Sequence, residues 1–158
     1  MLARFMEDIV NIILIRHFRL KRLATKLKNH VGGEATEEGL KLLLRCMALA
    51  LCVDNEYRKN LKDFNGRYLF TTKKGPVNVA ATCANNKMSV YEKSISDFDV
   101  RVDFSDYKAI IDFLIQADVD IIDQMLNQKL SFFGNLNYLY KLGYMTRHLM
   151  LKLGIAVS

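Results

Sequence analysis

Apolar and polar residues alternate with a period of two through the middle of the chain, which indicates β-strands. The clearest run is Phe98–Phe104, where apolar side chains alternate with three charged ones. Such a strand buries one face against a core and leaves the other in water. Shorter runs lie around residues 68–70, 77–83 and 88–90, with turns favoured at Lys74-Gly75-Pro76 and Asn85-Asn86. We expect residues 66–104 to form an antiparallel four-stranded meander, to which Leu130–Phe133 adds a fifth strand.

Apolar positions recur with helical spacing before and after this region. Residues 2–29 are predicted to form an amphipathic helix that ends at Gly32-Gly33. A second helix, capped by Thr36, runs to Val53 and then continues or restarts through Leu61. Three further helices are predicted, beginning at Ser105, Asp118 and Asn135, and the last of them runs towards Leu153.

These elements predict an α/β (α+β) fold with a five-stranded, largely antiparallel sheet covered by helices. Residues 1–60 are interpreted as an N-terminal helical extension packed on the core, and residues 61–158 as the main domain. At 158 residues, with 51% hydrophobic and 25% charged side chains, the chain can bury a core without disulfides or metal. Cys46, Cys52 and Cys83 are expected to be free thiols in a reducing compartment, and we expect no metal and no cofactor.

Positive charge is concentrated at the two ends of the chain. The net charge is +5 over residues 1–62, −3 over 63–127 and +4 over 128–158. The first helix is therefore a candidate contact for an anionic membrane surface, through insertion of its apolar side. The alternative is a solvated basic face whose apolar side packs on its own domain or on a second copy in a homodimer. The candidate contact residues are Phe5, Ile9, Ile13, Arg16, Arg19, Arg22 and Lys26.

No secretory signal is apparent, and the longest uncharged stretch near the start is far shorter than the roughly 20 residues that span a bilayer. We therefore expect a cytoplasmic protein that associates at most peripherally with the inner membrane face. Basic charge without a recognised reader motif argues against nucleic-acid binding. The absence of a nucleophile motif or glycine-rich phosphate loop argues against an enzyme.

Three segments, in this order and spacing, resemble the sterol carrier protein type 2 family. They are Phe64-Asn65-Gly66-Arg67-Tyr68-Leu69-Phe70, then Asp99-Val100-Arg101-Val102-Asp103-Phe104-Ser105-Asp106-Tyr107, and finally Lys129-Leu130-Ser131-Phe132-Phe133-Gly134-Asn135 followed by Tyr140-Lys141-Leu142. The resemblance covers roughly residues 60–150. It implies a five-stranded sheet with a tunnel between sheet and helices, and binding or transfer of a sterol, fatty acyl or isoprenoid/quinone-like lipid without chemistry.

An apolar lining suffices for such a site, because burying an acyl chain stabilises by roughly 0.8 kcal/mol per methylene. For any single candidate lining residue, the alternative interpretation is an ordinary core side chain. A scaffold or accessory protein of a lipid or quinone biosynthesis complex, which uses the fold for protein contacts, is the alternative function. The candidate lipid-lining residues are Phe70, Val100, Val102, Ile110, Phe113, Leu114, Ile122, Met125, Phe132, Leu139 and Leu142.

Overall fold

The computed structural model describes residues 2–31, 37–73, 78–106, 109–110, 112–113 and 121–155. Within these residues the chain contains five α-helices with defined bounds and five strands. Residues 109–110 and 112–113 are also helical. The helices are α1 (Leu2–Val31), α2 (Glu37–Val53), α3 (Asn55–Arg58), α4 (Ile121–Leu126) and α5 (Leu136–Lys152), with a 3₁₀ turn at Lys59–Leu61. The strands are β1 (Gly66–Thr72), β2 (Asn78–Ala84), β3 (Lys87–Tyr91), β4 (Val100–Phe104) and β5 (Leu130–Gly134).

The helices α1 and α2 pack against each other, and α2 in turn packs across β3. With 30 residues, α1 is about 45 Å long, whereas the 17 residues of α2 span about 26 Å. The helix predicted over residues 2–29 is confirmed as α1, which is longer than α2. The second helix ends at Val53 and the chain restarts as α3, because the Asp54 side chain accepts a hydrogen bond from the Tyr57 N–H and begins a new helix.

One sheet contains all five strands, in the order β3-β2-β1-β4-β5. The pairs β1–β2, β2–β3 and β4–β5 are antiparallel, whereas β4 pairs with β1 in parallel. The expected four-stranded meander is therefore wrong for its last strand. The eight residues between β3 and β4 carry the chain past both β2 and β1, so β4 buries its apolar face next to the central strand rather than at the edge of the sheet.

The alternation in β4 is confirmed, because Val100, Val102 and Phe104 are fully buried while the residues between them are only half-buried. The strand begins two residues later than predicted. Phe98 lies outside it, with its ring centroid 5.9 Å from the Arg101 guanidinium on the other face of the sheet. Asp99 immediately precedes the strand, and its carboxylate accepts a hydrogen bond from the Arg67 N–H at 2.8 Å.

Polar side chains set most of the boundaries as the sequence indicates. Asn85 and Asn86 form the β2–β3 turn with φ of 51° and 60°, the conformation of a two-residue hairpin. The Asn135 side chain caps α5 by accepting from the Asn137 N–H. The helix expected to begin at Ser105 is instead capped by Asp106, whose carboxylate accepts from the Ala109 N–H at 2.9 Å.

Several predicted features lie outside the described residues. They are the stop at Gly32-Gly33, the cap at Thr36, the turn at Lys74-Gly75-Pro76, the strand position Val77, the helix start at Asp118 and the lining position Leu114.

Candidate functional site

The inner face of the sheet, covered by α2 and α5, is one continuous apolar layer. In β1, the rings of Tyr68 and Phe70 stack parallel with centroids 6.2 Å apart. Because β1 and β4 are parallel and in register, Phe70 lies directly beside Val102, and Tyr68 beside Val100. The middle of the layer therefore lies over the β1–β4 pair.

Seven of the predicted lining residues meet in this layer. Each is at most 4% exposed, and all belong to one cluster of packed side chains. Helix α5 contributes two of them, and the helical residues at 109–110 and 112–113 contribute another two. One of these is Phe113, whose ring centroid lies 5.8 Å from that of Phe104. The seven are Phe70, Val100, Val102, Ile110, Phe113, Leu139 and Leu142.

The remaining predicted lining residues lie at the border of the layer or outside it. Phe132 is half-buried and packs against the cluster. On α4, Ile121 is buried in the cluster, but Ile122 and Met125 are 60% and 38% exposed and Leu126 is 77% exposed. The apolar layer therefore reaches the surface along α4, which presents three apolar side chains to solvent.

Two tyrosines that sequence reasoning did not assign to the site anchor the covering helix α5. The Tyr57 hydroxyl donates to the Met145 carbonyl at 2.9 Å, and the Tyr68 hydroxyl donates to the Tyr138 carbonyl at the same distance. Burial raises the pKa of both phenols far above the ordinary value, so both remain neutral. Sequence patterning could not identify them, since each partner carbonyl lies 70 or more residues along the chain.

The thiols at this layer are also neutral. Cys46 and Cys83 are buried, and burial raises the pKa of each to about 12. A thiol that does not ionise near neutral pH is a poor nucleophile. Within the described part of the chain, His, Cys, Asp and Glu side chains form no group of three that could hold a metal ion. The described interior therefore combines apolar side chains with neutral phenols and thiols.

The basic side of α1 is exposed where its side chains are described. This helix exposes four cations, Arg16, Arg19, Arg22 and Lys26. It also exposes three apolar side chains next to these cations: Leu14 at 60%, Ile15 at 59% and Phe18 at 72%. The opposite side packs on α2 through the buried Ala24 and Leu27. Phe5, Ile9 and Ile13 belong to the helical backbone, and their side chains lie outside the description. Across the described residues, we find no helix with the length and hydropathy needed to traverse a bilayer.

Comparison with known proteins finds the fold but no sequence relative. No known sequence family and no curated protein matches the chain. Sterol carrier protein 2 from Yarrowia lipolytica, in its apo form, superposes with a TM-score of 0.55 at 14% identity, covering 73% of this chain and 92% of that one. The UbiJ-SCP2 ubiquinone synthesis protein superposes with a TM-score of 0.53 at 12% identity, covering 72% and 94%.

The same fold also occurs inside a larger enzyme. The sec-alkylsulfatase Pisa1 from Pseudomonas sp. superposes with a TM-score of 0.52 at 15% identity, covering 67% of this chain but only 15% of the sulfatase. The chain thus has a sterol carrier protein 2-like fold, and the family resemblance drawn from its sequence is confirmed at the level of the fold.

Proposed function

We propose that this protein binds a hydrophobic lipid, without catalysis, in the apolar layer between its sheet and helices. The observation that carries the proposal is the course of that layer, which runs from the buried β1–β4 centre to the exposed side chains of α4. Exposed apolar side chains grouped on one helix can mark a binding surface, and Ile122, Met125 and Leu126 form such a group on α4. They are suited to the entrance through which an acyl, sterol or isoprenoid chain reaches the interior.

The chemistry of the interior supports a ligand that is apolar along most of its length. Its tyrosine hydroxyls already donate to backbone carbonyls, and its thiols are neutral. A mostly apolar concavity with few polar groups is the usual form of a lipid site. Each buried methylene contributes about 0.8 kcal/mol, so a chain of eight carbons is enough for measurable affinity.

The test is binding of a fluorescent fatty acid to two variants that introduce the same side chain at adjacent positions. Leu139 is fully buried in the layer, whereas Tyr140 is 52% exposed. Leu139→Trp is expected to weaken binding at least tenfold, and Tyr140→Trp to leave it unchanged. Native mass spectrometry of the unmodified chain should also detect co-purified lipid. Equal affinity in both variants, with no co-purified lipid, would place the site elsewhere or remove it.

We also propose that α1 associates peripherally with anionic membrane at the cytoplasmic face. Apolar side chains surrounded by cations are typical of helices that lie in a bilayer interface. Phe18→Ser should reduce sedimentation with phosphatidylglycerol vesicles, and high salt should largely release the full chain because screening weakens the attraction to anionic lipid. Tyr144→Ser, at another exposed aromatic position, is the matched control. Sedimentation unaffected by Phe18→Ser would exclude this surface.

The second candidate is a scaffold or accessory role in a lipid or quinone biosynthesis complex. The length of α1 favours it, because this helix is about 13 residues longer than α2, on which it packs. The structural similarity to a ubiquinone synthesis protein suggests the pathway but not the partner. Salt-independent self-association, measured by analytical ultracentrifugation and lost in Phe18→Ser, would favour this role over membrane binding.

A further inference from the structure

A cavity outside the apolar layer lies where α1, the end of α2, α3 and the β2–β3 turn meet. It has a volume of about 360 Å³. Arg16, Arg58 and Lys87 line it, together with the amides of Asn85 and Asn86 and the side of Cys52. Three cations therefore converge from three separate elements, and no carboxylate is among the described residues of the lining.

Arg58 is held in place at this cavity by the end of α2. Its Nε–H donates to the Leu51 carbonyl and its Nη2–H to the Cys52 carbonyl, each at 2.7 Å. These bonds satisfy two of the carbonyls that a helix leaves without partners at its C-terminus. A guanidinium has five N–H donors, so three of those of Arg58 remain for another acceptor. A cation fixed in this way loses little side-chain entropy when it binds an anion.

The nearest acidic side chains on the same segment are already paired with other cations. Asp54 lies 2.8 Å from the Lys152 ammonium, and Glu56 lies 2.6 Å from that of Lys59. Neither carboxylate belongs to the lining of the cavity. The charge of Arg16, Arg58 and Lys87 is thus not compensated within the cavity, which favours an anion there.

We propose that this cavity binds a phosphate group carried by a small organic molecule or a lipid headgroup. Phosphate accepts hydrogen bonds from several directions, which suits a guanidinium, an ammonium and amide donors converging from different elements. The volume exceeds that of phosphate alone, and the sides of Leu51 and Cys52 offer apolar contact to the attached group. The proposal does not depend on a lipid in the interior.

The test is a titration of the full chain with inorganic phosphate and with glycerol 3-phosphate, followed by amide NMR. Saturable shifts are expected at Cys52, Asn85 and Asn86, beyond those caused by chloride at equal ionic strength. Lys87→Gln should weaken the apparent affinity about fivefold or more, since a charge-assisted bond is lost. Lys59→Gln removes the same charge from a surface ion pair and should change the affinity less than about twofold.

The source of the phosphate is distinguished by sedimentation with phosphatidylglycerol vesicles. A lipid headgroup requires that Lys87→Gln weaken vesicle binding more than Lys59→Gln does. A soluble phosphate ester requires that the two variants sediment alike while only Lys87→Gln loses affinity for glycerol 3-phosphate. Phosphate shifts no larger than those of chloride would overturn the proposal. Equal losses in the two variants would do the same, and Arg16→Gln repeats the test at an independent element.

Discussion

Gly134 tests the junction at which β5 ends and α5 begins. Its φ of +107° lies in a region that residues with a side chain rarely adopt. Gly134 pairs with Val100, the first residue of β4. A Cβ placed there would collide with the Asp99 carbonyl oxygen and lie 3.1 Å from the Val100 Cα. That carbonyl accepts the Asn135 N–H at 3.1 Å, immediately before α5 begins. Gly134→Ala therefore separates two strands and disturbs the start of a helix.

The cost of this substitution can be worked from those contacts. Holding a non-glycine residue in such a conformation costs about 1–3 kcal/mol, and losing the Asn135 hydrogen bond costs about 1 kcal/mol. The expected destabilisation is thus about 2–4 kcal/mol. In a chain of this length, that lowers the midpoint of thermal unfolding by roughly 5–15 °C.

Urea and thermal unfolding followed by circular dichroism measure the effect, with Gly143→Ala as the control. Gly143 lies within α5, where an added Cβ meets nothing within 4 Å. Replacing this helical glycine should stabilise the protein by about 0.5–1 kcal/mol. A free energy of unfolding for Gly134→Ala within 0.5 kcal/mol of the unmodified chain, a margin set by ordinary surface substitutions, would refute the reasoning.

Two further predictions concern ionisation. Because burial raises the pKa of Cys46 and Cys83 to about 12, a thiol reagent at pH 8 should label the half-buried Cys52 alone, and peptide mapping that finds all three labelled in the folded chain would contradict this. Hydrogen bonding to Arg67 lowers the pKa of the Asp99 carboxyl, so its stabilisation is present above the unfolded pKa and is lost as pH falls through the folded one. Urea unfolding should show that stability falls less between pH 7 and pH 3 in Asp99→Asn, and an equal fall would exclude this pair as a source.

The sequence predicted elements well wherever a local pattern determines them. Alternation identified the core-facing residues of β4. The paired asparagines identified the β2–β3 turn, and Asn135 identified the start of α5. Each of these depends on side chains within a few residues of one another. The predicted cap at Ser105 was wrong by one position, because the adjacent Asp106 supplies the acceptor instead.

The pairing of strands was harder to predict, because alternation with a period of two does not show which strands lie next to each other. It established which face of β4 is buried but not that β4 returns to pair with β1 in parallel. The same limit applies to the charged cavity, where Arg16, Arg58 and Lys87 are separated by dozens of residues and share no motif. The periodicity of the sequence could not predict that Ile122 is exposed, because α4 has only six residues.

The parallel pairing of β4 with β1 affects where a lipid would lie. A meander would place β4 beside β3 at one side of the sheet, away from Phe70. The parallel pairing instead puts Phe70 in register with Val102, at the border between the part of the sheet covered by α2 and the part covered by α5. Under the proposed function, an acyl chain that enters beside α4 would therefore lie over the β1–β4 centre.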